Sequence, residues 1–198
     1  MREARREDAP ELAALFARAD VPCFCRYWHF EGDKNEWLAR TYVEVGTNRA
    51  EMESALEAGR TEARGLIALD PAGPIVGWLK VSPAEVVPKA YAQKLYRNLP
   101  VLSGDRSGVH LLACAVVDPA ARRQGVYREL IRGAVQIAPR WGATSLEAFP
   151  RRPREGVHDA ELWVGHAGTL LEEGFVEVHP FEPYPVLRRM LTAEATTS

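Results

Sequence analysis

Two stretches of the chain combine residue types that core-building alone does not require. The first is Val117–Arg128, "VDPAARRQGVYR", set between the apolar run "HLLACAV" and the amphipathic run "ELIRGAVQIA". Pro119 withholds a ladder donor and ends a strand. Gly125 lets the backbone adopt a conformation closed to other residues, or approach a ligand closely. The first turn of the following helix carries N–H groups with no internal partner, and its dipole favours an anion there. Arg122 and Arg123 add positive charge beside those donors. Such parts, in this order, hold a phosphate or pyrophosphate. The plainer alternative is a solvated turn whose arginines face water. No Gly-Lys-Ser/Thr follows, so the stretch is not a nucleoside-triphosphate loop, and Tyr127 stands where a dinucleotide fingerprint needs its second glycine.

The second stretch is "CFCRYWHF", residues 23–30. Cys23, Cys25 and His29 are soft donors. They fall one short of a four-ligand zinc site, and no second cysteine pair completes it, so no metal is expected. Phe24, Tyr27, Trp28 and Phe30 read either as an aromatic wall for a small-molecule pocket or as packed core. Further on, His110 and Cys114 are an even number of residues apart on a strand and so share one face. Cys114 is there either a nucleophile or a small core hydrophobe.

These residues need elements to position them. Asp8 and Glu11 have capping-box spacing, Pro10 suits a first turn, and Leu12, Leu15 and Phe16 make one face, so a helix is predicted over 9–19 with a short strand before it. A second helix is predicted near 48–58, stopped by Gly59. "RGLIALD" and "PIVGWLKVS", joined by "PAGP", predict an antiparallel hairpin. "KAYAQKLYRNL" suits a short helix within an insertion at 83–108. The run at 109–117 is apolar almost throughout, as in a central strand covered on both faces. Val126, Leu130, Ala134 and Ala138 give the next helix its buried face, and Pro139 ends it. "ATSLEAF" then completes a strand–helix–strand unit. A basic loop, a helix ending at Gly174, and the strands "FVEVHP" and "YPVLRRML" close the chain.

Size and composition set the bounds. The chain has 198 residues, 26% charged and 46% hydrophobic, with a formal net charge of −2. That suits one α/β domain over 1–192 with a frayed tail at 193–198. It does not suit a nucleic-acid binder, which is usually basic. No apolar run approaches the length of a membrane span. The N-terminal "MREARREDAPEL" lacks the apolar core of a secretory signal. Three cysteines make a poor disulfide framework, so a cytoplasmic, reduced protein is expected.

"VVDPAARRQGVYRELIRGAVQIAPRWGATSLEA" resembles motif A of the GNAT superfamily of N-acetyltransferases, Gln/Arg-x-x-Gly-x-Gly/Ala between a strand and a helix. Here the pattern reads Arg122-x-x-Gly125-x-Tyr127, departing at Tyr127. "MREARREDAPELAALF" resembles the family's opening strand and helix, and "GTLLEEGFVEV" its closing helix and strand. "CFCRYWHF", "NRAEMESALEAGR", "IVGWLKVSP", "SLEAFP" and "VGHAGTLLEEGF" resemble a bacterial subgroup that begins with a Cys-x-Cys-aromatic segment. The resemblance implies a GNAT-like fold, a mixed and mostly antiparallel sheet with helices on both faces. It also implies acetyl-CoA as co-substrate and transfer of the acetyl group to the amine of a small-molecule acceptor. The backbone of Ala115, Val116 and Val117 would hold the pantetheine arm, and Arg122, Arg123, Gln124, Gly125, Val126, Tyr127 and Arg128 the pyrophosphate. Phe24, Tyr27 and Trp28 would line the acceptor pocket. Neither nucleic acid nor membrane is implied as a partner, and a homodimer is left open.

The resemblance also shows what is missing. Many members carry a glutamate on the central strand and a tyrosine four residues before the closing Gly-Phe. Here His110–Ala115 contains no carboxylate, and Leu170 stands at the tyrosine position. Glu147, on the strand after the motif helix, and His166, one turn before Leu170, are the substitutes as proton carriers. Their plainer readings are a hydrogen-bonded strand residue and a helix cap. Two other classes stay open: a non-catalytic acyl-CoA-binding or interaction module on the same fold, and a nucleotide binder using Arg122 and Arg123.

Overall fold

The computed structural model describes residues 1–152 and 162–192. Seven strands, β1 (Arg2–Glu3), β2 (Gly65–Leu69), β3 (Ile75–Pro83), β4 (Val109–Val117), β5 (Ser145–Ala148), β6 (Val176–His179) and β7 (Val186–Met190), form one sheet in the order β1-β2-β3-β4-β5-β7-β6. Every neighbouring pair is antiparallel except β4–β5, which is parallel. The mixed, mostly antiparallel sheet with helices on both faces is the expected fold. The hairpin β2–β3 and the almost wholly apolar β4 form where their patterning and burial require.

Helix α5 (Val126–Ile137) covers one face, burying Leu130, Ile131 and Ala134 against Leu66, Leu79 and Leu112. Truncating Leu130 to alanine there would cost about 2–5 kcal/mol. Helices α1 (Ala9–Arg18) and α3 (Thr47–Glu57) cover the other face, packing Leu15, Phe16, Met52 and Ala55 around Trp78, Cys114 and Val116. The 83–108 insertion, with its short helix α4 (Pro88–Tyr91), closes a third apolar cluster around Leu111, Phe149 and Val186. Helix α6 (Ala167–Glu172) precedes β6. Among the described residues, no helix is long and apolar enough to cross a membrane.

Several local expectations change. Asp8 does not cap α1 with its side chain; it accepts the Arg5 N–H at 2.8 Å and pairs with Arg2, closing the preceding 3-10 turn. Helix α5 ends at Ile137, ahead of Pro139 as expected, but the chain then tightens into a 3-10 turn over Ala138–Trp141. Helix α2 (Lys34–Tyr42) was not expected, although Asp33 and Glu36 form a full capping box at its start. His110 and Cys114 do not share a face. The β3–β4 register skips Ala113, pairing Val81 with Leu112 and Lys80 with Cys114, and this bulge reverses the alternation. Leu112 accordingly packs beneath α5 while Cys114 packs beneath α1 and α3. The tail at 193–198 and most of the basic loop after Arg152 lie outside the described residues.

Candidate active site

A cavity of about 1020 Å³ opens beside the C-terminal half of β4. One end is built by the single run from Ala115 to Arg128. Asp118 starts the turn, accepting the Ala120 N–H at 2.9 Å. Arg18 of α1 braces Asp118 at 2.6 Å and donates to the Ile75 carbonyl at 2.8 Å. The Arg18 guanidinium, together with the Ala120 N–H, holds the Asp118 carboxyl below its usual range. The backbone then turns left-handed at Arg123 (φ 61°) and Gly125 (φ 84°), a geometry that forms anion-binding concavities. A side chain at Gly125 would meet nothing within 4 Å, so the cradle is open. The Arg123 side chain is exposed and, among the described residues, makes no hydrogen bond or ion pair. Helix α5 begins here with its first-turn N–H groups unpaired within the helix.

Ala115, Val116, Val117, Arg122, Arg123, Gly125, Val126, Tyr127 and Arg128 all line this cavity. Gln124 does not; its amide turns back to the Ala120 carbonyl at 2.9 Å. Arg128 is shared with two carboxylates, Glu172 and Glu173.

The β4 edge itself carries a feature with no sequence forecast. Pairing with β5 stops at Leu112–Ala148. Beyond that point the Ala115 N–H donates to the Trp163 carbonyl at 2.7 Å. The Leu162–Gly165 segment therefore lies as a strap along the edge left open by β5. Tyr127 fastens it, its hydroxyl donating to the Val164 carbonyl. Burial pushes that phenol's pKa up, keeping it protonated as the donor. The ring leaves no room for a side chain at Gly165: a Cβ there would fall 2.3 Å from Tyr127 Cζ. Tyr127 and Gly165 thus form a matched pair, large against small.

The other end of the cavity draws on separate segments. Tyr27 and Trp28 line it, and the Trp28 indole donates to the Ala113 carbonyl exposed by the bulge, at 3.1 Å. Helix α2 supplies Trp37, Leu38, Thr41 and Tyr42, and the turn after α1 supplies Asp20. Sequence reasoning missed all five; the Asp33–Glu36 capping box was the signal for the helix. Phe24, expected in this wall, instead stacks on Phe16 in the core at 4.7 Å. His166 lines the cavity mouth as an exposed residue at the start of α6.

Glu147, expected as a proton carrier, does not line the cavity. It is fully buried on β5, with one oxygen accepting from Arg188 and the other from Tyr91 and Arg106. With both oxygens committed and no solvent, it neutralises two arginines rather than meeting a substrate. His29 is half-buried with its Nε2 enclosed and unpartnered, and desolvation, with Lys80 and Arg26 nearby, pulls it down to about 3. Among the described residues no three His, Cys, Asp or Glu side chains converge as a metal site would require.

The model of the acetyltransferase (GNAT) family matches residues 27–159, two thirds of the chain. The chain belongs to that family. No curated protein matches it. Among solved structures, a GNAT-family acetyltransferase from Streptococcus pneumoniae is 17% identical with a TM-score of 0.56, the match covering 96% of this chain and 98% of that one. A Brucella melitensis GNAT acetyltransferase, solved with acetyl-CoA, is 18% identical with a TM-score of 0.52, covering 96% and 86%. An Escherichia coli GNAT N-acetyltransferase, solved with CoA, is 17% identical with a TM-score of 0.52, covering 96% and 80%. At these identities the likeness is one of fold. Within the family frame, Leu170 is fully buried in the core beneath α5, so the position of the usual tyrosine carries no proton donor here.

Proposed function

We propose that this acetyltransferase moves an acetyl group from acetyl-CoA to the amine of a small-molecule acceptor. The observation that carries the reading is the open cradle at Arg123–Gly125, set at the N-terminus of α5 and continuous with the part of the β4 edge that β5 leaves and the strap covers. Arg122, Arg123 and the first-turn N–H groups of α5 would hold the pyrophosphate. Ala115–Val117 would hold the pantetheine arm, the Ala115 N–H becoming available once the Trp163 carbonyl releases it. Acetyl-CoA supplies an activated thioester. Backbone N–H groups near Val116 polarise its carbonyl, and the cavity brings acceptor and thioester together.

The acceptor end is walled by Tyr27, Trp28, Trp37, Leu38 and Tyr42, with Asp20 as a carboxylate facing it. That combination favours an amine carried on an apolar or aromatic body. His166 at the mouth is the residue to take the amine proton, with Asp20 orienting the cation as it enters.

The test is thermal unfolding. Saturation with acetyl-CoA at about 100 times its Kd should raise Tm by about 5–10 °C for a chain of this size. At the same acetyl-CoA concentration, Arg123→Glu should cut the shift to about half or less. An unchanged Tm at saturating acetyl-CoA and CoA would defeat the reading. A second reading, a non-catalytic acyl-CoA-binding module, is favoured by the commitment of Glu147 and the burial of Leu170. It predicts the same Tm shift with no thiol release on any amine in a screen.

A further inference from the structure

Behind the aromatic wall of the acceptor end stands a cation that acetyl transfer does not use. Residues Tyr27–His29 form a 3-10 turn that brings Tyr27 and Trp28 to the cavity. Tyr27 is the middle ring of three. Its centroid lies 5.1 Å from that of Trp28 and 5.2 Å from that of Trp37, with interplanar angles of 67° and 70°. Trp37 lines the cavity too, so the three rings make an open box. Lys89 of α4 closes on this box from outside. Its Nζ stands 4.2 Å from the centroid of the Tyr27 ring, and Lys89 itself does not line the cavity. The ammonium therefore covers the side of Tyr27 turned away from the cavity.

Lys89 is fixed in that place. Its ammonium donates to the Phe30 carbonyl at 2.6 Å and lies 5.3 Å from the Phe30 ring centroid. That carbonyl is a neutral partner, and among the described residues Lys89 pairs with no carboxylate. Its charge therefore acts on the rings. The Gln93 amide donates to the Lys89 carbonyl at 3.2 Å and braces the short helix. Arg40 sets a second cation 5.4 Å from the Phe30 ring centroid. Beside the box, the cavity carries the carboxylate of Asp20 and the ammonium of Lys34.

An aromatic ring attracts a cation through its negative face. A cation seated on one face draws that electron density toward itself. The opposite face then becomes a poor seat for a second cation and a good one for an electron-rich ring. We propose that Lys89 is a specificity-determining residue, setting the cavity side of Tyr27 to take the electron-rich aromatic body of an arylalkylamine acceptor. The inference rests on the transferase reading and narrows it. The acceptor brings one cationic amine, met by Asp20, on an aromatic body rather than a saturated or cationic one. Lys34 acts in the same direction, since it repels a second positive charge.

The test titrates the full chain, saturated with CoA, with three primary amines by calorimetry: 2-phenylethylamine, 2-cyclohexylethylamine and (2-aminoethyl)trimethylammonium. Burial of apolar area alone gives the phenyl probe no advantage over the cyclohexyl one. The wild-type chain should bind the phenyl probe at least about threefold tighter than the cyclohexyl probe, as one aromatic pair is worth, and the quaternary probe most weakly. Lys89→Met keeps an apolar stem and removes the charge, and should cut the phenyl-over-cyclohexyl preference by at least about half. Lys89→Arg, whose guanidinium also stacks on rings, should retain the preference. A smaller wild-type preference, tightest binding of the quaternary probe, binding of none of the three, or a preference unchanged in Lys89→Met would each overturn the inference. If acetyl-CoA still raises the wild-type Tm in such a case, the transferase reading stands without it; if that shift is absent, the reading itself fails. The wild-type comparison decides on its own, so a variant that fails to fold does not shield the idea.

Discussion

The two ends of the cavity are built in opposite ways. The phosphate end comes from one continuous run, Ala115–Arg128, whose strand, turn and helix each follow from local chemistry. The acceptor end is assembled from the close of α1, the Cys23–Trp28 segment, α2 and the start of α6. A contiguous site keeps its donors in register by covalent connection. A dispersed site depends on tertiary packing, and single residues in it carry no local signature. Glu147 shows the hazard: near the site in sequence logic, it is in fact a buried counter-charge for Arg106 and Arg188.

That residue gives the largest expected effect. Glu147→Ala leaves two arginines uncompensated beside a buried strand, which should cost about 3–5 kcal/mol. Urea unfolding should show it as a lower midpoint. The folded fraction should still gain Tm on adding acetyl-CoA. A variant of normal stability that binds acetyl-CoA and fails to turn over would instead move Glu147 to the reacting end.

Next comes Arg123→Glu, which reverses a charge in the cradle without touching a packed contact. Loss of one charge-assisted hydrogen bond is worth about 1.5–3 kcal/mol, so the Kd for CoA should rise about 10–100-fold by calorimetry. Stability without ligand should not move, because the side chain is exposed and has no partner among the described residues.

Much of the phosphate end was legible. Pro119, Gly125, the paired arginines and the periodicity of α5 are local signals, and β4 was read to its true limits. The strap was not. That Tyr127 reaches Val164 is a contact between residues 37 apart, and no local pattern announces it. The only trace in the chain was the oversized residue at the motif's last position. The bulge at Ala113 was equally hidden, since it is a property of two strands in register, and it undid the inference that His110 and Cys114 share a face. Helix α2 was missed for a different reason: its capping box was present, but its mixed apolar and polar residues give a weak stripe.

The strap supplies a third test, and it tightens the link between the two ends. Tyr127→Phe removes the hydroxyl that holds Val164 and keeps the ring that fills the space over Gly165. Stability should fall by about 1 kcal/mol, the net worth of one hydrogen bond. If the strap must release Ala115 before cofactor binds, the same change should tighten CoA binding by up to about fivefold. Unchanged or weaker binding would mean that the strap and the cofactor do not compete for the β4 edge.

The smallest effect belongs to the brace behind the cradle. Arg18 and Asp118 are joined at 2.6 Å across the partly exposed junction of α1 and the β4 turn. The Asp118 carboxyl is held below its usual range, so its share of stability is present above the ordinary carboxylate pKa of about 4 and is lost as pH falls through the lower, folded value. Arg18→Met should therefore be less stable than wild type at neutral pH by under about 1 kcal/mol, as for a partly exposed pair. The gap should close as acid protonates Asp118 in both proteins. Unfolding midpoints measured from neutral to acid pH check this. A gap that stays constant would show that Arg18 acts through the Ile75 carbonyl and its packing, leaving the cradle's turn to be held by the Ala120 N–H alone.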